Sequence, residues 1–455
     1  MDSYITIRSK FLLSIFIAIG WLVFSIWAAL PWYQDLSNHI GVPLAIFFIS
    51  FIAIVPGFIN AFVVSSLLLD HRPTLKPIEQ FPDVTVLIPA YNEELSIRET
   101  VESVLNQDYP GNIRVIVIND GSSDQTIDSV HLLQTRYLEL ELIDIQPNSG
   151  KAAALNAGLA RCRSELVITV DADCWVLKDG IRHLVARYLS DPSNTRAVAG
   201  AILIRNSRDN WITKAQEWDY FLGIASVKRI QSLFQGTLVA QGAFSIYSRE
   251  AVEAVGGWPR TVGEDIVLTW SLLAAGYRVG HAENACVFTK CPNTLRQFVR
   301  QRQRWSRGLI EAFKSNPRLI IKPRLSTIYI LWNLLFPIID VAYTFGFIPG
   351  LILACFGKFW IVGPMTLALI PPGILLNYVM FRAENTMFKD EHLKVRRNIV
   401  GFMFYILAYS IVLQPACVWG YISELLKFKK NGEPNEISAY YFSNYRNCRS
   451  STCVL

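Results

Sequence analysis

The chain has 455 residues, 52% of them hydrophobic and only 18% charged, with a formal net charge of +6. That balance is too apolar and too charge-poor for an ordinary soluble protein. A charge of this size gives no expectation of a nucleic-acid partner.

The apolar excess falls at the two ends. Residues 11–30 supply about the 20 apolar positions needed to cross a bilayer core. A second run, 44–69, is also long enough, with Pro56 and Gly57 placed to kink it. The first run exceeds the apolar stretch of a usual signal peptide and lacks a clear small-x-small cleavage site, so a cleaved leader is the weaker reading. Residues 31–43 carry only Asp35 as a clear charge and are expected as an outside loop. Residues 1–72 are therefore expected to hold two transmembrane helices.

Residues 73–295 read differently. Pro73, Pro77 and Pro82 punctuate the exit from the second run, and VTVLI (84–88) reads as a short buried strand. Helical spacing follows over 93–105, through Leu95, Val101, Val104 and Leu105. Further strands are predicted at 114–118, 142–145 and 166–170, with helices between them. This alternation points to a largely parallel sheet covered on both faces, whose ligands bind at the carboxyl ends of the strands.

Three polar clusters, PAYNEE, NDGSSD and VDAD, fall at those ends. Asp171 and Asp173 flank one small residue, so both carboxylates can reach one hard cation, Mg2+ or Mn2+, together with substrate phosphate oxygens. Such a cation neutralises charge on a departing diphosphate. Asp120 can hydrogen-bond a ribose or base, and Tyr91 offers a ring for a base to stack on. Lys151, in NSGKAAALNAGL, adds positive charge near a bound anion or carbohydrate. Plainer alternatives stand beside these. DGSSD also suits a turn with a helix N-cap, and Tyr91 also suits a gap-filling role under its loop.

Gly263-Glu264-Asp265 precedes a helical run, IVLTWSLLAAGY. Acids at a helix N-terminus are favourable in themselves. With an Asp-x-Asp pair upstream, Asp265 is also a candidate general base for an acceptor hydroxyl, with Glu264 beside it. Between them lie AQGAF (240–244), whose small residues let a sugar approach the backbone, and Trp258, which suits sugar contact or the core equally.

Residues 296–325 carry nine Lys/Arg against one acid, Glu311. The positive-inside rule places this segment, and the domain before it, on the cytosolic side. Phe298, Trp305, Leu309 and Phe313 supply an apolar face, as expected of an interfacial helix meeting membrane lipid. Residues 326–426 hold three candidate spans, 327–356, 359–381 and 398–426, with Asp340 inside the first. Lys427, Lys429 and Lys430 in the polar tail, 427–455, argue for a fourth crossing to keep them inside. The eight cysteines show no paired CxxC spacing, so Cys162, Cys174, Cys286 and Cys291 are expected as free thiols.

Taken in order, VTVLIPAYNEE, VIVINDGSSDQT, NSGKAAALNAGL, VDADC, TVGEDIVLTW and QRQRW resemble the processive, membrane-embedded family 2 glycosyltransferases. These include the synthases of cellulose, chitin, hyaluronan and poly-N-acetylglucosamine. The resemblance implies an α/β domain of GT-A type inserted between N-terminal and C-terminal transmembrane helices, in an inner or plasma membrane. It implies inverting transfer from a UDP-sugar donor to a growing glycan acceptor. Tyr91, Glu93 and Asp120 would contact the uridine, Lys151 and Asp171 the nucleotide, and Asp173 the metal. Asp265 would be the base. In QxxRW, Gln301, Arg304 and Trp305 would face the site, Arg304 on the diphosphate and Trp305 near the acceptor sugar. Arg300, Arg302 and Arg307 would remain free for headgroups or acidic neighbours.

Size and the two-run N-terminus look most like the poly-N-acetylglucosamine type, which favours UDP-N-acetylglucosamine and leaves room for a small membrane partner subunit. Gly263 departs from the Thr-Glu-Asp usual there, which puts the sugar in doubt. A cellulose- or hyaluronan-type synthase, and a non-processive transferase adding one sugar to a lipid, stand as alternatives.

Overall fold

A computed structural model describes residues 5–71, 75–234, 236–363, 366, 370–390, 393 and 397–428. The first helix, Ile7–Ile40, is capped by Thr6, whose hydroxyl oxygen accepts the Ser9 amide. At about 1.5 Å per residue it is about 51 Å long. It runs through Pro31, so most of the segment expected as an outside loop is helical. Trp32, Tyr33 and Leu36 continue its apolar face and pack with Trp360 and Ile361. The Trp32 indole N–H donates to the Trp360 carbonyl at 3.0 Å. The helix ends at Gly41, whose φ of +81° is costly for other residues.

The next helix, Val42–Leu68, widens into a π-helical turn at Ser50–Ile54. Pro56 lies two residues beyond and lacks an N–H to return to the ladder. Phe16, Val23 and Trp27 on the first helix stay exposed, which suits hydrocarbon rather than water. Among the described residues, three helices are long and apolar enough to cross a membrane: Ile7–Ile40, Val42–Leu68 and Thr327–Cys355. A fourth arises if Ile399–Leu407 and Tyr409–Leu425, bent by 51°, form one span. The expected span at 359–381 lies partly outside the described residues, and its later part belongs to a helix, Ile370–Asp390. Lys429 and Lys430 lie outside them altogether.

Between these helices stands a sheet of eight strands: β1 Val84–Ala90, β2 Ile113–Asp120, β3 Leu140–Ile145, β4 Leu166–Val170, β5 Trp175–Val176, β6 Thr195–Ile204, β7 Phe244–Ser248 and β8 Arg278–Thr289. Their order is β3-β2-β1-β4-β7-β6-β8-β5. The first four are parallel, as the sequence pattern predicts. The sheet as a whole is mixed, because β7 enters between β4 and β6 antiparallel to both. The helix expected from Glu93 begins at Ile97 instead, since residues 91–96 form a loop.

Both faces are covered, which is why β4 reads as an unbroken apolar run. Leu87, Ile116 and Ile118 pack with Leu155 and Leu159 on one face. Val86, Ile88 and Val115 pack with Val101 and Leu184 on the other. Ala90 pairs with Asn119 and Leu87 with Thr169, so three strands deliver their following loops to one edge.

The first core continues into the apolar helices. Phe62 is fully buried. Its ring meets Phe11 at 5.7 Å, Phe234 at 5.6 Å and Trp332 at 5.2 Å, joining both terminal helical regions to the domain. Phe62→Ala is therefore expected to destabilise the protein by about 3–5 kcal/mol. The exposed Phe24→Ala should leave the apparent Tm of detergent-solubilised protein nearly unchanged by comparison.

Candidate active site

The loops after β1 and β2 clasp each other. Asn92 adopts φ of +57°, and its Oδ1 accepts the Ser123 amide at 2.8 Å. The Ser122 hydroxyl accepts the Asn92 amide, and the Glu94 carboxylate accepts the Gln125 amide, each at 3.0 Å. Asp124 accepts both the amide and the hydroxyl of Thr126 at the next helix start. Much of DGSSD is thus turn and capping chemistry. Tyr91 stands half-exposed above this clasp.

Asp120 is buried, with both oxygens occupied: Oδ1 accepts the Ser149 amide at 2.7 Å and Oδ2 the Gly150 amide at 2.8 Å. Burial pushes its pKa up, and the two amides oppose that rise. In this geometry Asp120 seats the turn that launches the Lys151–Arg161 helix. Lys151 is thereby aimed at the edge of the sheet.

The Lys151 Nζ lies 2.5 Å from Asp171 and 3.5 Å from Glu264. Burial alone would push this lysine's pKa down, but the carboxylates of Asp171 and Glu264 override it and hold it above the ordinary value. Asp173 is pushed up by burial and then by Asp171. Glu93 is pushed up by burial, an effect opposed by a Ser96 hydrogen bond and reinforced by Asp173 and Asp171. Glu264 is raised chiefly by burial, against the pull of Lys151. Glu93, Asp171, Asp173 and Glu264, with Asp265 within electrostatic reach of Lys151 and Glu264, therefore share one electronegative edge.

No cluster of three His, Cys, Asp or Glu side chains with metal-holding geometry exists among the described residues. Asp171 and Asp173 fit a Mg2+ or Mn2+ ion that takes its remaining oxygens from phosphate and water, as these ions commonly do. The Asp173 oxygens meet weak partners, Cys174 Sγ at 3.5 Å and Thr289 Oγ1 at 3.4 Å.

Asp265 sits in the first turn of the Glu264–Ala275 helix, where its Oδ1 accepts the Ile266 amide at 2.7 Å and its Oδ2 the Gly242 amide at 3.4 Å. Gly242 admits this crowding, since a Cβ there would stand 2.7 Å from Lys151 Nζ. Gly263 meets Gly308 backbone to backbone, and a Cβ on Gly308 would stand 2.9 Å from Gly263 Cα. Glu311 accepts the Gly263 amide at 3.0 Å. The QRQRW helix, Leu295–Ser315, is thus seated directly on the motif that carries Asp265.

Along that helix Gln301 is half-buried, its Oε1 without a partner among the described residues. Arg304 is exposed, and Trp305 is 39% exposed. Arg302, expected to meet headgroups or acidic neighbours, is 4% exposed and meets the acidic neighbour Asp219 at 2.9 Å. Arg307 reaches the acidic neighbour Glu424 at 3.5 Å. Beside the helix lies a polar cavity of about 830 Å³, reached by Gln301, Gln297, Arg205, Lys290 and Asp209. Trp258 belongs to the core: it is buried against Tyr247 at 5.6 Å, its backbone held by Asn156. Cys162, Cys174, Cys286 and Cys291 are buried thiols outside any disulfide.

Motif reading passes over Lys228 and Asp219, names Glu311 only as the lone acid of its segment, and gives Gly242 to sugar approach rather than to room for Lys151. Glu311 and Gly308 lie three apart on one helix face, a signal of close seating. Lys228 carries no motif. It is 8% exposed, and burial pushes its pKa down to about 7, opposed only by Asp265.

Between that value and the ordinary 10.5, the unfolded chain binds the extra proton, so this group's contribution to stability rises as pH climbs through the window. Lys228→Met is expected to have a higher Tm than the parent at pH 7, with the advantage shrinking toward pH 10. Gly308→Ala is expected to lower kcat by about 10- to 100-fold through misplacement of Asp265. Its stability loss should stay within about 1–3 kcal/mol, separating it from simple unfolding when Tm and turnover are measured together.

A family model described as glycosyl transferase family 2 matches residues 85–256. A poly-beta-1,6-N-acetyl-D-glucosamine synthase of Staphylococcus aureus is 31% identical over 264 residues, which are 58% of this chain and 63% of that protein. Its Staphylococcus epidermidis counterpart is 30% identical over 254 residues, covering 56% and 61%. The matched region thus spans less than two thirds of either relative. A mannosyltransferase from Pyrobaculum calidifontis, solved with GDP-Man and Mn2+, superposes with a TM-score of 0.52 at 19% identity, covering 91% of this chain and all of that one. Residues 85–256 are therefore a glycosyl transferase family 2 domain, and the fold is GT-A-like.

Proposed function

We propose that this chain, built around its family 2 glycosyltransferase domain, is a membrane enzyme that polymerises UDP-N-acetylglucosamine into a β-linked polysaccharide and passes the product across the membrane. The observation that carries this reading is the seating of the QRQRW helix on the Asp265 motif through Gly263, Gly308 and Glu311. It joins a diphosphate-and-metal edge to an exposed indole on a helix that also contacts the apolar C-terminal segment through Arg307, Lys314 and Glu424. The staphylococcal relatives support the choice of sugar.

In this mechanism Tyr91 stacks on the base of the donor and Glu93 lines the same loop. Lys151, freed from Asp171 by the incoming nucleotide, meets the diphosphate together with Arg304, whose guanidinium binds phosphate in a two-pronged fork. Asp171 and Asp173 would hold a Mg2+ or Mn2+ ion whose chemistry is Lewis-acid neutralisation of the departing diphosphate. Asp265 takes the proton from the acceptor hydroxyl on the face opposite the leaving UDP. Direct displacement then converts an α-linked donor into a β-glycoside. Glu264 stays paired with Lys151 and keeps it aimed. Trp305 offers an apolar face to the acceptor pyranose, with an N–H left to donate.

The transferase domain lies on the cytosolic face of a multi-pass protein in this reading, because the 296–324 segment that precedes the C-terminal apolar helices is cationic.

Full-length protein in detergent, given UDP-N-acetylglucosamine, UDP-glucose or UDP-glucuronate with Mg2+ or Mn2+, should release UDP fastest from the first and yield a polymer. Asp265→Asn should lose about 10²- to 10⁴-fold in turnover while retaining donor binding. A product consisting only of single-sugar glycolipid would overturn the processive reading.

A further inference from the structure

Arg302 lies outside the QxxRW residues, yet it is the best-held cation of the helix. Its guanidinium is buried, makes an ion pair with Asp219 at 2.9 Å and donates to the Tyr409 hydroxyl at 2.9 Å. The Tyr409 hydroxyl in turn donates to Asp219 Oδ2 at 2.8 Å, closing a triangle. The guanidinium carbon lies 4.0 Å from the centroid of the Trp305 ring and 5.1 Å from that of Phe298. The Trp305 and Tyr220 rings lie tilted to one another with centroids 6.2 Å apart, and the indole stays 39% exposed.

Each corner of the triangle comes from a different element. Asp219 opens a π-helical segment, Asp219–Ser226, which follows the Trp211–Trp218 helix. Tyr409 is the first residue after the 51° break between Ile399–Leu407 and Tyr409–Leu425. The arm before the break is fixed to the same Trp211–Trp218 helix, because Asn398 donates to the Lys214 carbonyl at 2.9 Å and accepts from the Trp218 indole at 2.8 Å. Both arms of the bent apolar pair therefore report to one short region, and Arg302 carries that geometry to the indole.

We propose that Arg302 is a positioning residue for Trp305: held by Asp219 and Tyr409, it fixes the plane of the indole that receives the acceptor sugar and couples that plane to the bend of the C-terminal apolar pair. The proposal rests on the acceptor role given to Trp305 above. A buried ion pair alone is weak evidence for a stabilising role. A planar cation stacked on an aromatic face is attracted to it and resists rotation of the ring. Lysine can keep the charge and the pairing with Asp219, but it lacks the flat surface.

The test uses full-length protein in nanodiscs with saturating UDP-N-acetylglucosamine and a titrated N-acetylglucosamine oligosaccharide as acceptor. Arg302→Lys is expected to raise the acceptor KM about tenfold, leave the donor KM unchanged and shorten the polymer. Tyr409→Phe, which keeps the Arg302–Asp219 pair, should shift the same constants in the same direction by less. In a Trp305→Phe background the effect of Arg302→Lys on acceptor KM should largely disappear. If Trp305→Phe raises acceptor KM but Arg302→Lys adds its full effect on top, or raises donor KM instead, the positioning role is wrong and the acceptor reading stands. If Trp305→Phe leaves acceptor KM unchanged, the acceptor role of Trp305 falls, and the positioning proposal with it.

Discussion

Carboxylates repel one another, and this molecule gathers Glu93, Asp171, Asp173, Glu264 and Asp265 at one edge of a sheet whose core is apolar. Burial raises the pKa of Glu93, Asp173 and Glu264 in turn. One ammonium, Lys151, lies against Asp171 and Glu264 and within electrostatic reach of Asp173 and Asp265. Its position depends on Asp120, whose two oxygens hold the preceding turn, and on Gly242, which leaves room for the ammonium. A concentration of charge that a folded domain ordinarily avoids is retained here, and a divalent cation is the kind of ligand that such an edge accommodates.

The same edge is tied to the apolar helices through backbone contact. Gly263 and Gly308 leave no space for a side chain between the helix bearing Asp265 and the QRQRW helix. The second helix is in turn held to the C-terminal segment through Arg302, Arg307 and Lys314. At the other end, Phe62 joins the N-terminal helices to Phe234 and Trp332. Rigid packing of this kind makes a shift in an apolar helix costly unless the edge moves with it.

Much of the α/β unit is legible in the sequence alone. Strands covered on both faces are nearly continuous apolar runs, so VTVLI and LVITV announce themselves, and the polar residues following them mark the ligand edge. Residues 31–40, expected within an outside loop, are helical because Trp32 and Leu36 pack on residues far along the chain, which the local sequence does not show. The antiparallel entry of β7 was equally hidden, since strand direction is settled by pairing partners distant in sequence.

For the candidate site, the chain's own order of residues determined which chemistry was available: an Asp-x-Asp pair at a strand end, acids opening a helix, and a cationic aromatic segment before an apolar one. Tertiary structure alone decided how those groups are shared out. Helical geometry puts positions 301, 304 and 305 on one arc, but 302 also lies three residues from 305, so the indole belongs to both arcs. Which arginine meets it depends on what packs from outside the helix. Asp219 and Tyr409 draw Arg302 inward and leave Arg304 exposed. Asp120 likewise turns from the open edge toward two amides that folding brings within its reach. Residue type sets what a side chain can do, and long-range packing sets which neighbour it does it to.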